Sequence, residues 1–345
     1  MNFTFPENKA LLNSIIQNYS GEPSHNFNVC LIDILNPKDN IITINNIEYV
    51  FTYFDDTPGK NKGWNSIILK LYESQNIDKD DVQYNDPDMV LKILKYKKAA
   101  KPEWKKPKEK RFETEISALK DCKRENFPNI IDIYGDGVCK IYSPYKNRYH
   151  EYLFYTMEFA EYDLKKFIEK NFKNFSLEEK VGLCLSLSRG LRDLESLGYY
   201  HRDIKPDNIF MVDDNWKIGD LGLIGNRNSD FNLDRKGELI GPRGWMSPES
   251  MNKYLCEGHD FPFQFNCTIN HQSDIFQLGK VFWYIFQHNA PIGSIKQSDF
   301  KIRHNRIYPI LRTMLNYSLN RRYKRIDEVI KLLRPIEDKL LITAV

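Results

Sequence analysis

The chain has 345 residues, of which 41% are hydrophobic and 28% charged, and its formal net charge at pH 7 is +3. These proportions are typical of a folded globular protein and exclude a disordered or fibrous chain. The small net charge gives no reason to expect nucleic acid as a partner, and no apolar run approaches the roughly 20 residues of a membrane-spanning helix. The cysteines form no C-x-x-C pair, which favours a reducing compartment, so we predict a cytoplasmic location. The richness in Asn, Ile and Lys is typical of an AT-rich genome; in a parasite, an intracellular bacterium or a large virus, that cytoplasm would be the host's.

The first part of the chain predicts mainly β-strands. Short β-branched and aromatic runs between Phe27 and Leu71 alternate with Asn, Asp, Pro and Gly, the pattern of strands and turns. The run MVLKIL predicts another strand, and the Lys- and Pro-rich residues 95–111 after it predict a solvated linker. The helical spacing of Phe112, Ile116 and Leu119 predicts a helix, and the runs PNIIDIYGDGV and EYLFYTMEF predict two more strands.

The part of the chain after Ala160 predicts mainly helices, because apolar residues recur there at intervals of three and four. The longest such run, SLEEKVGLCLSLSRGLRDLESLG, has Ser176 as its N-cap and Glu178 and Glu179 in its first turn. Similar spacing predicts helices in DLKKFIEKNF, SDIFQLGKVFWYIFQ and YPILRTMLNY. A strand-rich part followed by a helix-rich part predicts an α+β protein of two lobes, with a ligand in the cleft between them.

One short run, YYHRDIKPDNIF, concentrates charge between apolar flanks at Tyr199–Phe210. Its polar side chains cannot all be satisfied in a core, so we predict an exposed loop anchored at both ends. The run WKIGDLGLIG, soon after, predicts a short strand that delivers Asp220 into a glycine-flanked turn. A second carboxylate is therefore expected close to the charged loop.

The runs HRDIKPDN, GDLG and GPRGWMSPE stand in the order, and at about the distances, found in eukaryotic-type protein kinases, and the chain resembles that family over roughly residues 45–336. The resemblance implies a bilobal kinase-like fold. An N-terminal extension would span residues 1–44, a small β-rich N-lobe with the hinge residues 45–160, and a larger helical C-lobe residues 161–345. It also implies ATP and Mg²⁺ as cofactors.

By this resemblance, the polar residues of the charged loop have separate roles. Asp203 would accept the hydrogen bond of the acceptor hydroxyl, and Lys205 would steady the transferring phosphate. Asn208 and Asp220 would hold Mg²⁺ through oxygen ligands. Phosphoryl transfer calls for such groups because it depends on positioning and on neutralising negative charge.

The nucleotide site would, by the same resemblance, draw on both lobes. Lys92 would bind the α- and β-phosphates and pair with a helix glutamate, for which Glu115 is preferred to Glu113 because Leu119 then lies one turn later. A solvated helix face is the alternative for Glu115, and ordinary core packing is the alternative for Met157. The resemblance assigns the roof of the adenine pocket to Ile68 and Val90, its back to Met157 and its floor to Phe210. The backbone of the hinge, Glu158 to Ala160, would bind the adenine.

The glycine-rich loop that covers the phosphates in this family is the weakest match. Asn61, Gly63 and Ser66 align with its three glycines, so only the middle glycine is present. A loop with fewer glycines is stiffer, which predicts weaker ATP binding or a different closure. An ordinary hairpin turn is the alternative for this segment.

Other departures concern activation. Arg202 resembles the arginine that faces a phosphate on the activation loop, but the run IGNRNSDFNLDRKGELI offers only Ser229 as an acceptor. Negative charge could come there without modification, from Asp230, Asp234 or Glu238. Pro242 stands where Ser/Thr kinases usually have a Thr that bridges the catalytic Asp and Lys, so that hydrogen bond must be absent or replaced. Leu221 replaces the usual Phe of the metal-binding triplet and keeps an apolar side chain there.

Two further residues have structural roles by the resemblance. Glu249 of the SPE run would pair with Arg321 or Arg322, and Asp274 would accept hydrogen bonds from the backbone of the HRD run. These pairings would fix the charged loop and the segment after it on the helical lobe.

The sequence thus predicts a serine/threonine protein kinase that transfers the γ-phosphate of Mg-ATP to a protein hydroxyl, since Lys205 and Pro206 favour that acceptor class over tyrosine. A pseudokinase or nucleotide-binding scaffold is the first alternative, because of the missing glycines and Pro242. A kinase for a small molecule or lipid is the second, although such enzymes generally lack an SPE run followed by SDIFQLG.

Overall fold

The computed structural model describes residues 41–45, 47–54, 65–73, 75, 86–143, 148–227 and 233–343. Most of the expected N-terminal extension therefore lies outside the described residues, as do Asn61, Gly63, Ser229 and Asp230. The chain divides into two compact units, one of residues up to Ile116 with Asp132–Phe159, the other of Ser117–Ile131 with the residues from Ala160 onward. The first is rich in strands and the second in helices, which confirms the α+β class predicted from the sequence.

The described part of the first unit contains a six-stranded antiparallel sheet with the order β1-β2-β3-β4-β6-β5. Its strands are β1 (Ile41–Ile44), β2 (Ile47–Tyr53), β3 (Ser66–Glu73), β4 (Met89–Lys97), β5 (Ile133–Ser143) and β6 (Arg148–Met157). Leu69, Leu91 and Ile93 lie in a buried cluster with Phe51 and Tyr152. Because side chains alternate along a strand, Val90 and Lys92 lie on the opposite face of β4 and are also buried.

The Lys- and Pro-rich run predicted to be a linker is only partly irregular. Its first three residues complete β4, residues Pro102–Trp104 form a 3₁₀ turn, and its last five begin helix α1 (Pro107–Arg124). Pro107 suits the first helical position because its missing N–H would have no partner within the helix there. Glu109 in that first turn accepts a hydrogen bond from the amide of Ala99 at 3.0 Å. The prolines therefore mark helix starts rather than a linker.

The second unit is built around helices. They are α2 (Leu164–Asn171), α3 (Leu177–Ser196), α4 (Pro248–Cys256), α5 (His271–Gln287), α6 (Ile307–Met314) and α7 (Ile326–Thr343), with 3₁₀ turns at Pro206–Asn208, Gln297–Asp299 and Leu319–Arg321. Helix α3 packs against α5 and α7. Ser176 caps α3 in a capping box with Glu179, which confirms the predicted helix start.

Short strands surround the charged loop of this unit. They are β7 (Tyr162–Asp163), β8 (Tyr199–Tyr200), β9 (Ile209–Val212), β10 (Asn215–Ile218) and β11 (Gly225–Asn226). The sheet order is β10-β9-β7, and β8 pairs with β11. The charged loop therefore starts at β8 and ends at β9, both hydrogen-bonded within the unit.

None of the helices in the described ranges combines the length and the apolar composition needed to cross a bilayer.

Candidate active site

The charged loop, residues 201–208, is largely buried, so the prediction of an exposed loop was wrong: His201, Asp203 and Asn208 are buried, and hydrogen bonds within the unit engage their side chains. The backbone of the loop is fixed by a carboxylate beneath it. Asp274 of α5 accepts hydrogen bonds from the amides of His201 and Arg202, each at 2.8 Å. This confirms the predicted role of Asp274. Burial raises the pKa of Asp274 to about 7, although the two amide hydrogen bonds favour its charged form. Arg202 has a φ of 68°, a left-handed conformation that few side chains adopt, so these bonds hold a strained peptide.

The carboxylate of Asp203 lies at the centre of a polar cluster. Lys205 donates to its Oδ2 from 3.0 Å, and Asn208 Nδ2 donates both to that oxygen and to the carbonyl of Asp203, each at 2.9 Å. Burial raises the pKa of Asp203; the charge of Lys205 opposes this shift, and the charge of Asp220 adds to it. A carboxylate with a raised pKa is a better proton acceptor near neutral pH than an ordinary aspartate.

His201 connects Asp203 to the turn that contains Gly219 and Asp220. Its Nδ1 accepts a hydrogen bond from the amide of Asp203 at 3.2 Å, and its Nε2 donates to the carbonyl of Gly219 at 3.1 Å. Burial lowers the pKa of this imidazole to about 4, against a smaller raising effect of the Gly219 hydrogen bond. The side chain is therefore neutral, with its proton on Nε2, as both hydrogen bonds require.

Gly219 allows β10 to end in close contact with its neighbours. A Cβ at this position would lie 2.7 Å from Cγ1 of Ile131 and 2.9 Å from the ring of Phe210, so no side chain fits. The amide of Gly219 donates to the carbonyl of Asn208 at 3.0 Å. The next residue, Asp220, is exposed and has a φ of 56°. The second carboxylate thus stands beside the charged loop.

The side chains at this turn carry oxygen atoms of the types that bind a magnesium ion. Both hydrogen bonds of the Asn208 amide group that involve Asp203 use Nδ2, which leaves the carbonyl Oδ1 as the ligand atom of that side chain. The exposed carboxylate of Asp220 supplies further oxygens. Carboxylate and amide oxygens are the ligands that Mg²⁺ prefers.

The strand register in the first unit brings the predicted nucleotide-binding residues onto one face of the sheet. Ile68 is paired with Lys92, and Val90 is paired with Met157. Directly opposite residues share a face, as do residues two apart along a strand. Ile68 and Met157 are half-buried, whereas Val90 is buried. Ser66, predicted to belong to the phosphate-covering loop, is the buried first residue of β3.

Lys92 and Glu115 form a buried ion pair. The ammonium donates to Oε1 of Glu115 at 2.8 Å, and the hydroxyl of Tyr155 donates to the same oxygen at 3.0 Å. The side chains of Lys92 and Glu115 are only 8% and 2% exposed. Glu113 pairs with Lys105 instead. Of the two candidate glutamates, the structure therefore brings Glu115 to Lys92.

The segment after Met157 is tied to the start of β5. Glu158 accepts a hydrogen bond from the amide of Asp132 through its side chain at 2.7 Å, and its own amide donates to the carbonyl of Asp132 at 3.1 Å. The amide of Glu158 is therefore engaged within the protein. Ala160, two residues on, is half-buried and begins the second unit, in which Phe210 is half-buried on β9.

Arg202 forms a bidentate ion pair with Asp234. Its Nη1 and Nη2 donate to the two carboxylate oxygens at 2.7 and 3.2 Å, and its Nε donates to the carbonyl of Leu223. Both side chains are nearly buried. Of the three acidic residues named above as sources of charge for Arg202, Asp234 thus makes the contact, while Glu238 accepts from the amide of Arg235.

Glu249 of the SPE run is paired with Arg322, one of the two predicted arginines. The two guanidinium nitrogens donate to Oε1 and Oε2 at 3.0 and 3.2 Å, and Ser273 also donates to Oε2. Phe276 lies under the guanidinium, whose carbon is 5.0 Å from the ring centre. The pair is buried and fully hydrogen-bonded, which confirms the predicted role of Glu249.

Two residues near this chemistry were missed by sequence reasoning. Tyr155 carries no signal beyond its place on a strand. Gln277 lies one helical turn after Asp274, and that spacing places both on the same face of α5.

Comparison with known proteins gives one family. The model of the protein kinase domain family matches residues 84–339. The serine/threonine-protein kinase ste20 of Aspergillus oryzae is 30% identical over 148 residues, 43% of this chain and 16% of that protein. The serine/threonine-protein kinase STE20 of Debaryomyces hansenii is 33% identical over 152 residues, 43% of this chain and 12% of that protein. The discoidin domain-containing receptor tyrosine kinase B of Caenorhabditis elegans is 29% identical over 177 residues, 51% of this chain and 19% of that protein. In each case the match spans less than a fifth of the relative's length.

Proposed function

Since the chain belongs to the protein kinase domain family, we propose that it is a serine/threonine protein kinase that transfers the γ-phosphate of Mg-ATP to a hydroxyl of a protein. The observation that carries the proposal is the convergence of Lys205 and Asn208 on the carboxylate of Asp203, with Asp220 close enough for its charge to raise the Asp203 pKa. Such a cluster can orient a hydroxyl and hold a cation beside it.

The proposed reaction assigns one role to each residue. Asp203 accepts the hydrogen bond of the substrate hydroxyl and takes its proton as the acceptor oxygen bonds to the γ-phosphorus and the bond from that phosphorus to ADP breaks. Lys205 steadies the transferring phosphate. When bound by Asn208 and Asp220, Mg²⁺ supplies neutralisation of the phosphate charge.

The nucleotide is assigned to the residues on the Lys92 face of the sheet. Lys92, held by Glu115, binds the α- and β-phosphates. We assign the adenine ring to Ile68, Val90, Met157, Phe210 and the backbone of residues 158–160. We assign the phosphate-covering loop to Asn61 and Gly63, with Ser66 as the first residue of the strand that follows the loop. The Asp203 cluster favours an enzyme over a nucleotide-binding scaffold, because a scaffold needs Lys92 to bind nucleotide but has no use for a carboxylate with a raised pKa beside Lys205.

The acceptor class and location follow from separate features. Lys205 and Pro206 favour serine and threonine, although the relatives include a tyrosine kinase. The described cysteines are free thiols, which supports a cytoplasmic location, and no nucleic acid partner is expected.

The test incubates the full chain with γ-labelled ATP, Mg²⁺ and generic basic proteins, beside Asp203→Asn as a control for contaminating kinases. We expect phosphoserine or phosphothreonine in the product of the parent alone. Labelled phosphotyrosine would contradict the acceptor class. Nucleotide binding without any transfer would overturn the proposal and indicate a nucleotide-binding scaffold. Transfer confined to a small molecule or lipid would overturn it and indicate a small-molecule or lipid kinase.

A further inference from the structure

Gln277 is a buried amide on α5, and only 1% of its surface is exposed. It follows Asp274 by three residues, one helical turn. Both side chains therefore lie on the face of α5 that meets the charged loop.

The amide of Gln277 binds the backbone on both sides of Asp203. Its Oε1 accepts a hydrogen bond from the amide of Ile204 at 3.2 Å, and its Nε2 donates to the carbonyl of Arg202 at 3.1 Å. These two groups belong to the peptides that enter and leave Asp203. One side chain thus holds both of them in a fixed relation to α5.

Together, Asp274 and Gln277 hold four backbone groups of the loop. Asp274 accepts from the amides of His201 and Arg202, and Gln277 adds the carbonyl of Arg202 and the amide of Ile204. The strained φ of Arg202 lies within this set. A strained peptide persists only when its surroundings determine it from several sides, so each of these bonds contributes to the orientation of Asp203.

The same amide faces the segment that contains Pro242. A Cβ on Gly241 would lie 3.2 Å from Nε2 of Gln277 and 2.9 Å from the carbonyl of Arg202, so the glycine backbone packs directly on this contact. Pro242 has neither a hydroxyl nor an N–H with which to bind Asp203 or Lys205. The loop is thus secured from α5 rather than by a side chain at position 242.

We propose that Gln277 is a positioning residue for the phosphoryl transfer: it fixes the orientation of Asp203 by holding the two peptides that flank it, and so replaces the missing side-chain link at Pro242. The inference rests on the proposed function and adds to it a residue that touches neither nucleotide nor acceptor.

The test compares the parent with Gln277→Met, which keeps the size and removes both hydrogen bonds, and with Gln277→Ala as a second variant. Gln287→Met, on the last turn of α5, is the control, because it loses an amide that accepts from Lys301 far along the helix from the loop. The measurements are kcat, KM for ATP, and hydrogen exchange of the peptides that cover residues 201–208.

We expect both Gln277 variants to lower kcat about 10- to 100-fold, since a small misplacement of a catalytic group has effects of this size. KM for ATP should stay within about two-fold of the parent, because a loss confined to kcat marks an interaction needed only for the chemical step. Exchange of residues 201–208 should become faster in the Gln277 variants, and Gln287→Met should match the parent in all three measurements.

An unchanged kcat in folded Gln277 variants, equal losses in kcat and ATP affinity, or unchanged exchange in the loop would each overturn this inference while leaving the proposed function in place. Absence of any turnover by the parent would overturn the proposed function and, with it, the role of Gln277. Should Gln277→Met unfold, the smaller Gln277→Ala decides by the same criteria.

Discussion

Asp203, the proposed catalytic aspartate, is held both by its neighbours in sequence and by side chains of α5. Its own amide binds His201, its carboxylate binds Lys205 and Asn208, and the strained residue before it is fixed by Asp274. Non-glycine residues in the left-handed region concentrate where surroundings impose them. A backbone with so many constraints can present a carboxylate in one orientation, which positioning catalysis requires.

The buried neutral His201 predicts a specific sensitivity to acid. Its pKa is lowered to about 4 by burial, so the unfolded chain binds a proton between about pH 6.5 and 4 that the folded chain does not. The free energy of unfolding should therefore fall as the pH falls through this range, by roughly 3 kcal/mol from this group alone.

Denaturant titration of the parent and of His201→Gln at pH 7 and pH 4 isolates this effect. Asp274, whose raised pKa makes the folded state more stable as the pH falls, is present in both proteins, so its contribution cancels in the comparison. The stability advantage of the parent over the variant should shrink at pH 4. A difference that is constant between the two pH values would show that His201 does not titrate in this way.

The Lys92–Glu115 pair predicts that Glu115, and not Glu113, supports the binding of ATP. Glu115→Gln keeps the shape and an acceptor for Tyr155 but removes the charge that holds the ammonium of Lys92, so Lys92 would no longer be fixed for the phosphates. We expect kcat/KM for ATP to fall roughly 10-fold or more, since the loss of one charged partner of a buried pair is costly.

The matched control is Glu113→Gln, two residues earlier on α1 and paired with the half-exposed Lys105. It should leave kcat/KM for ATP within about two-fold of the parent. Equal effects of the two substitutions would contradict the assignment of Glu115.

At this scale the sequence predicts residues whose letters belong to a motif and misses those that act through geometry. The motifs predict Asp203, Asn208 and Asp220 as site residues, and the structure places them close together. The sequence does not predict Gln277, because a glutamine on a buried helix face belongs to no motif. Its role depends on hydrogen bonds to the loop that only the packing of α5 against the loop makes possible. Tyr155 is a further case, since its hydroxyl meets Glu115 only through the pairing of β4 with β6.

At the scale of elements, the segment after β11 is fixed to the charged loop by an aspartate. The buried bidentate pair of Arg202 and Asp234 supplies the negative charge that a phosphate would supply at such an arginine. Activity is therefore expected without modification of the segment.

Phosphatase treatment of the full chain should leave its kcat unchanged, and Ser229→Ala should likewise retain it, because Asp234 supplies the charge for Arg202 without any modification. Asp234→Asn should lower kcat about 10-fold or more, since it leaves a nearly buried guanidinium without its charged partner. Asp213→Asn, an exposed substitution between β9 and β10, is the control and should leave kcat unchanged. Loss of turnover on dephosphorylation would contradict this account.

Helix prediction succeeded where apolar residues recur at helical spacing over a long run, and a cap then located the start of the helix. The long α3 has both, and its start at Ser176 is confirmed. The sequence does not predict α4, which is short, or α7, which carries an internal Pro335. The lysines and prolines of residues 95–111 predict a linker, but Pro107 starts α1 because proline suits the first position of a helix.

At the scale of the whole molecule, the SPE run is joined to the chain segment before α7 by the buried Glu249–Arg322 pair. Both partners are almost fully buried, and each makes further hydrogen bonds. Removing one partner leaves the other as an uncompensated buried charge.

Arg322→Ala should therefore lower the free energy of unfolding by about 3–5 kcal/mol, measured by denaturant titration. Arg325→Ala is the control: its side chain is 63% exposed, so its ion pairs contribute little and its substitution should change stability by less than about 1 kcal/mol. Similar stability losses in both variants would contradict the structural role of Arg322.

The family could be predicted from three short runs, because their order and spacing are specific, and the comparison over residues 84–339 agrees. The phosphate-covering loop could not be settled in the same way, because two of its three glycine positions carry other residues and Asn61 and Gly63 lie outside the described residues. The identity of the protein substrate depends on surfaces that motifs do not encode.

The most direct test of the central claim measures nucleotide affinity and phosphate transfer side by side in the parent and Asp203→Asn. We predict that both proteins bind Mg-ATP equally well and that transfer to a protein hydroxyl falls roughly 100- to 10,000-fold in the variant, the range expected for loss of a general base. Transfer by Asp203→Asn at the rate of the parent would contradict the account.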